Sequence, residues 1–78
     1  MSETYTESVA GEVRAHVARK NVSQREVAKA IGKSQAAAWR RLSGNYPFNV
    51  TELQAIADLL GVPVARFLPD QQPEVAAS

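Results

Sequence analysis

The chain contains no cysteine, which excludes a disulfide framework and a thiolate metal site and predicts a core that holds without staples in a reducing compartment. Long apolar runs are also missing, since no stretch approaches the ~20 residues needed to cross a bilayer. The opening "MSETYTES" is polar and acidic where an export signal would be basic and then apolar. These absences predict a soluble, cytoplasmic protein. Ingredients for catalysis are scarce as well. The carboxylates are dispersed along the chain without a convergent pair, no glycine-rich loop could cradle a phosphate, and no metal-ligand spacing occurs. The sole histidine, His16, falls at the edge of an apolar stripe and reads as a packed boundary residue. The expectation is therefore no enzyme, no cofactor, no metal and no small-molecule substrate.

What is present fits one small domain. The 78 residues are 45% apolar, ordinary for a globular chain, and leave room for a single core. The net charge of +1 conceals a strong segregation. Between Arg14 and Arg41 lie eight basic residues (Arg14, Arg19, Lys20, Arg25, Lys29, Lys33, Arg40, Arg41) against one acid, Glu26, a local charge of +7. The remainder sets Arg66 against Glu3, Glu7, Glu12, Glu52, Asp58, Asp70 and Glu74, a charge of −6. Such a dipole offers one attractive face to a polyanion, although a merely solvated basic surface would have the same composition.

The pattern along the chain is helical throughout. Thr4 with Glu7, Ser23 with Glu26, and Thr51 with Gln54 fit the capping box, in which a cap hydroxyl and the third residue's side chain satisfy each other's backbone N–H groups. Asn21, Gly32, Gly44 and Gly61 stand where a left-handed residue ends a helix. Val9, Val13 and Val17 recur every four residues, and Val27, Ala28 and Ile31, then Leu53, Ile56, Ala57 and Leu60, form further stripes. Val62, Val64, Phe67 and Leu68, with Pro63 at a first helical position, predict a short closing helix. The reading is an all-α fold, a compact bundle of about five short helices over about 5–20, 24–31, 35–43, 52–60 and 63–68. Residues 1–68 make the domain, and 69–78, with two prolines and no pattern, a flexible tail.

Within "SQREVAKAIGKSQAAAWRRLSG" a helix of about eight residues, a short turn and a second helix give the helix-turn-helix layout. Ala28 lets the second helix cross closely, Gly32 turns the chain, and Ser34 caps the new helix. Gln24, Glu26, Ala28, Ile31, Gly32, Ser34, Gln35, Leu42 and Gly44, continued by "TELQAIADLLGVPVARFL", resemble the Cro and repressor type of helix-turn-helix protein, the XRE family. The "RRLSG" followed by "YPFNV" is similar to an actinobacterial or actinophage variant. This resemblance implies a lambda repressor-like DNA-binding fold and a transcriptional regulator, most simply a phage-type repressor acting by operator occupancy. Its partner would be double-stranded DNA at a near-palindromic operator, bound by a homodimer that forms fully only on the DNA, in the nucleoid of a bacterial cell.

On a helical wheel Ala38 and Leu42 define a buried side, Ala36, Ala37 and Arg40 lie opposite, and Trp39 and Arg41 flank them. Bulk is absent at the start because a recognition helix brings its N-terminal residues to the groove floor. Gln35 and Arg40 are the expected base readers, by bidentate bonds to adenine and guanine, with Ala36 and Ala37 against thymine methyl groups. For Gln35, nearer the core on the wheel, the resemblance and its first-turn position carry the assignment. Gln24, Arg25, Lys33, Ser34, Ser43 and Asn45 are expected at the phosphates. At Arg41 the resemblance implies an aliphatic core residue in many relatives, so either the helix is rotated slightly there or the guanidinium snorkels outward, and the phosphate set is the favoured place for it. Trp39 belongs to the same set as a half-buried side chain at the core's edge, because a duplex offers no free base face on which to stack. The resemblance places the dimer interface at Pro47, Phe48, Arg66 and Phe67. The competing readings share the fold: a protein-binding adaptor or antitoxin, favoured if the basic residues scatter, or a phage recombination accessory (excision) factor.

Overall fold

The computed structural model describes residues 4–69. Four α-helices, α1 (Tyr5–Arg19), α2 (Gln24–Ile31), α3 (Gln35–Leu42) and α4 (Val50–Leu60), are followed by one 3-10 helix, Val64–Phe67. No strand occurs among the described residues. None of the helices is long and apolar enough to cross a membrane. The expected tail lies, beyond Pro69, outside the described residues.

Side chains start the helices and backbone geometry stops them. Thr4 and Ser23 form reciprocal capping boxes with Glu7 and Glu26. At the far ends Asn21, Gly32, Gly44 and Gly61 all take positive φ. In each case the following N–H reaches back five residues: Val22 to Val17, Lys33 to Ala28, Asn45 to Arg40 and Val62 to Ala57, at 3.0 Å each. This closure satisfies carbonyls the helix would otherwise leave unpaired. One start differs from expectation. Helix α4 begins two residues earlier, capped by Asn49 rather than Thr51, with Glu52 completing the box through Asn49 N–H to Oε1 at 3.0 Å and Glu52 N–H to Asn49 Oδ1 at 2.7 Å. Asparagine caps as well as threonine does, and Gln54 instead donates to Asp58 within the helix.

The valines of α1, Val27 of α2, Leu42 of α3, and Leu53, Ile56, Ala57 and Leu60 of α4 meet in one core. Fully buried Ala38 and almost fully buried Ala28 present only methyl groups, so that α2 and α3 approach closely. The closing segment is a single 3-10 turn rather than an α-helix over 63–68, because Leu68 is extended ahead of Pro69. That turn delivers Phe67, 0% exposed and the largest fully buried side chain, against the edge of the His16 ring at 5.4 Å. His16 is buried and its Nδ1 lies 2.9 Å from the Glu12 carbonyl. Phe67 is therefore a plug of the core and not a dimer surface, which corrects the sequence expectation. Its side chain cannot serve a partner without leaving the core it fills.

Phe67→Ala is expected to cost about 3–5 kcal/mol by chemical denaturation. A loss below about 1 kcal/mol would show that the core closes without it.

Candidate nucleic-acid interface

The turn between α2 and α3 is built by two residues. Gly32, at φ 69°, reverses the chain, and Ser34 accepts the Ala37 N–H at 3.1 Å to start α3. The first turn of α3 holds no acid, unlike those of α1, α2 and α4. Its free N–H groups and positive dipole end therefore face outward without a carboxylate to repel an anion. Ala38, Arg41 and Leu42 are the buried residues of α3. Gln35, Ala36, Trp39 and Arg40 are exposed, and Ala37 is half-buried on the flank.

Hydrogen bonding divides the polar groups of this region into two sets. Among the described residues, the side chains of Gln24, Arg25, Lys33, Gln35, Arg40 and Asn45 make no intrachain hydrogen bond or ion pair and are all exposed. Ser34 accepts from Ala37 and keeps its proton for an outside acceptor. Arg14, Arg41 and Ser43 are engaged. Arg14 of α1 donates from Nη1 to the Leu42 carbonyl at 2.6 Å, capping the C-terminal end of α3. Ser43 donates its hydroxyl to the Arg40 carbonyl at 3.0 Å, so it has no proton to offer a phosphate in this conformation, contrary to expectation.

Arg41 departs furthest from the sequence reading. It does not snorkel to solvent. Its Nε donates to Glu52 Oε1 at 3.0 Å, its Nη1 to the Ala37 carbonyl at 3.0 Å, and the Tyr46 ring lies over the guanidinium, 4.6 Å from ring centre to Cζ. Arg41 is 9% exposed and Glu52 4%. A buried cation with three such contacts is a structural member of the α3–α4 junction, and its guanidinium does not face a phosphate as the sequence led one to expect.

Trp39 is 52% exposed, more than a core-edge side chain. With Arg14 and Gln24 it borders a groove of about 350 Å³ whose floor is Val17, Ala18, Val22 and Leu42. The start of α2 and the outer flank of α3 thus share one concave surface. Of the expected partner-surface residues, Pro47 and Arg66 are exposed and Phe48 is half-buried against the core.

The helix-turn-helix domain family model matches residues 8–67, most of the chain. The chain belongs to the helix-turn-helix domain family. Its fold is similar to that of the clp gene regulator ClgR from C. glutamicum, with TM-score 0.77, 24% identity, and 85% of this chain and 86% of that one covered. The DNA-binding domain of BldD aligns with TM-score 0.71 and 25% identity over 88% of this chain and all of that one. The SOS-response transcriptional repressor LexA from Eubacterium rectale aligns with TM-score 0.74 and 19% identity, covering 100% of this chain and 84% of that one. No curated protein matches the sequence. The family is one of DNA-binding transcription regulators.

In this helix-turn-helix chain, three residues of the site escaped the sequence reading: Arg14, Tyr46 and Glu52. The signal for Glu52 was Asn49 three places before it, an alternative capping box overlapping the Thr51 one. No local pattern marks Arg14 as a cap for a helix 28 residues away.

Arg41→Ala strands the Glu52 carboxylate and is expected to lower stability by about 3 kcal/mol, as loss of one member of a buried pair does. Exposed Arg40→Ala is expected to change it by less than about 0.5 kcal/mol. Equal stability of the two variants in urea would contradict the assignment.

Proposed function

We propose that the chain is a sequence-specific double-stranded DNA-binding regulator, a Cro- or repressor-like protein that acts by occupying an operator. The observation that carries this reading is the outward face of α3. Exposed, unengaged Arg40 shares it with the small side chain of Ala36, and exposed, unengaged Gln35 flanks it from a first turn without acid. Arg40 carries a planar donor fork matched to O6 and N7 of guanine, and Gln35 a donor and acceptor matched to adenine. The methyl groups of Ala36 and Ala37 let the helix reach the groove floor and meet thymine. Gln24, Arg25, Lys33, Ser34 and Asn45 take the flanking phosphates, with Trp39 covering the sugar-phosphate edge beside Gln24.

A homodimer is part of this proposal, with Pro47, Phe48 and Arg66 at the two-fold contact. Two recognition helices ~34 Å apart would then meet successive major grooves of a near-palindromic site, and assembly is completed on DNA. The bacterial cytoplasm is where such a regulator works.

Arg40→Ala is expected to relax preference at one base pair, at a cost of about 1–3 kcal/mol on the preferred duplex. Lys33→Ala is expected to weaken all duplexes alike and to reduce the slope of log affinity against log salt by about 0.9. Binding titrations on matched and substituted duplexes at several salt concentrations read both. Equal losses on every sequence for Arg40→Ala would remove it as a reader.

A further inference from the structure

We propose that the buried Arg41–Glu52 pair, covered by Tyr46, is a positioning device that fixes the rotation of α3 about its own axis and thereby determines DNA sequence discrimination. The inference rests on the proposed DNA-reading role of α3 and assigns specificity to residues that touch no DNA.

The backbone of α3 packs on α2 and α1 and has no broad contact with α4. Along its N-terminal half the buried side chain is Ala38, whose single methyl sets depth but resists rotation poorly. The directional link to α4 is Arg41. One guanidinium bonds backward to the Ala37 carbonyl and sideways to Glu52 Oε1, both at 3.0 Å. Glu52 is itself immobilised, because the same Oε1 accepts the Asn49 N–H that caps α4. The start of α4 and the roll of α3 are thus tied through one oxygen atom. Tyr46 covers the guanidinium on the remaining side.

The pair is costly in a way that argues for orientation rather than stability. Glu52 Oε2 is buried without a hydrogen-bond partner, and two apolar side chains in these positions would serve stability as well or better. A bond with defined direction provides what apolar contact does not. A roll of about 20° carries a group 6 Å from the helix axis through about 2 Å, beyond the tolerance of a bidentate base contact. Phosphate contacts made by flexible lysine survive such a shift.

The test is the double variant Arg41→Met with Glu52→Gln, which removes both charges and leaves an amide oxygen to cap Asn49. Affinities are measured for the duplex that wild type enriches from a random pool and for a mixed-sequence duplex, across a salt series. The expected result is at least about a tenfold fall in the ratio of the two affinities, with mixed-duplex affinity and salt slope unchanged. An unchanged ratio in the folded double variant overturns the proposal, as does a salt slope reduced by about one, which would return Arg41 to the phosphates. Should circular dichroism show the double variant unfolded, Arg41→Lys decides. It keeps the charge, so a phosphate contact would tolerate it, whereas the two-way bond would be lost and discrimination should fall several-fold. Full discrimination by Arg41→Lys overturns the proposal. A wild type that enriches no sequence would defeat the base-reading assignment itself, and this proposal with it, an outcome distinct from the others.

Discussion

An eight-residue helix does not hold itself together in water, because nucleation costs more than so few hydrogen bonds return. Helices α2 and α3 are both of that length. Everything that makes them useful must come from outside them, from caps at their ends and from a core assembled by α1, α4 and the terminal 3-10 turn. Phe67 is central to that support, since it closes the last described element and fills the space facing α1 and α4. A helix kept in place from one side is free to present the other, and the opposite face of α3 is where polar side chains without internal partners are found.

The charge distribution gains meaning from the same division. Two of the arginines in the basic segment are consumed by the fold, one capping α3 from α1 and one buried against Glu52. What remains for an external polyanion is a smaller set than composition implies: Arg25 at the start of α2, Lys33 in the turn and Arg40 on the outward side of α3, with Arg19 and Lys20 exposed at the end of α1 and Lys29 in the last turn of α2. Arg40 and Arg41 are neighbours in sequence and opposite in role. One points to solvent with nothing to bond, while the other is enclosed by a carboxylate, a carbonyl and an aromatic ring. Their separation by one residue on a helix, about 100°, is enough to place one in solvent and the other in the α3–α4 junction.

The fold was legible in the sequence because its signals are local. The caps at Thr4, Ser23 and Ser34, the left-handed residues at Asn21, Gly32, Gly44 and Gly61, and the apolar spacing each span only a few positions. The errors arose where partners are distant or signals compete. Two capping boxes overlap at the start of α4, and choosing Thr51 over Asn49 hid Glu52, the residue that takes Arg41 inward. The same distance effect hid Arg14, whose acceptor lies on another helix; Phe67 was legible as part of the apolar cluster that closes the core, and only its place at a dimer contact, carried by the resemblance, was wrong. The exposure of Trp39 was understated because a wheel places it beside the core without showing that the neighbouring surface is a groove.

On the proposed reading, the outward face of α3, with the start of α2, is the surface that meets duplex DNA. Backbone amide NMR during titration with an enriched duplex tests it most directly. The largest shifts are expected at Gln24, at Lys33 to Ala37 and at Arg40, with little change along the outer side of α4. Shifts centred on α4 and the 3-10 helix, with α3 undisturbed, would contradict it.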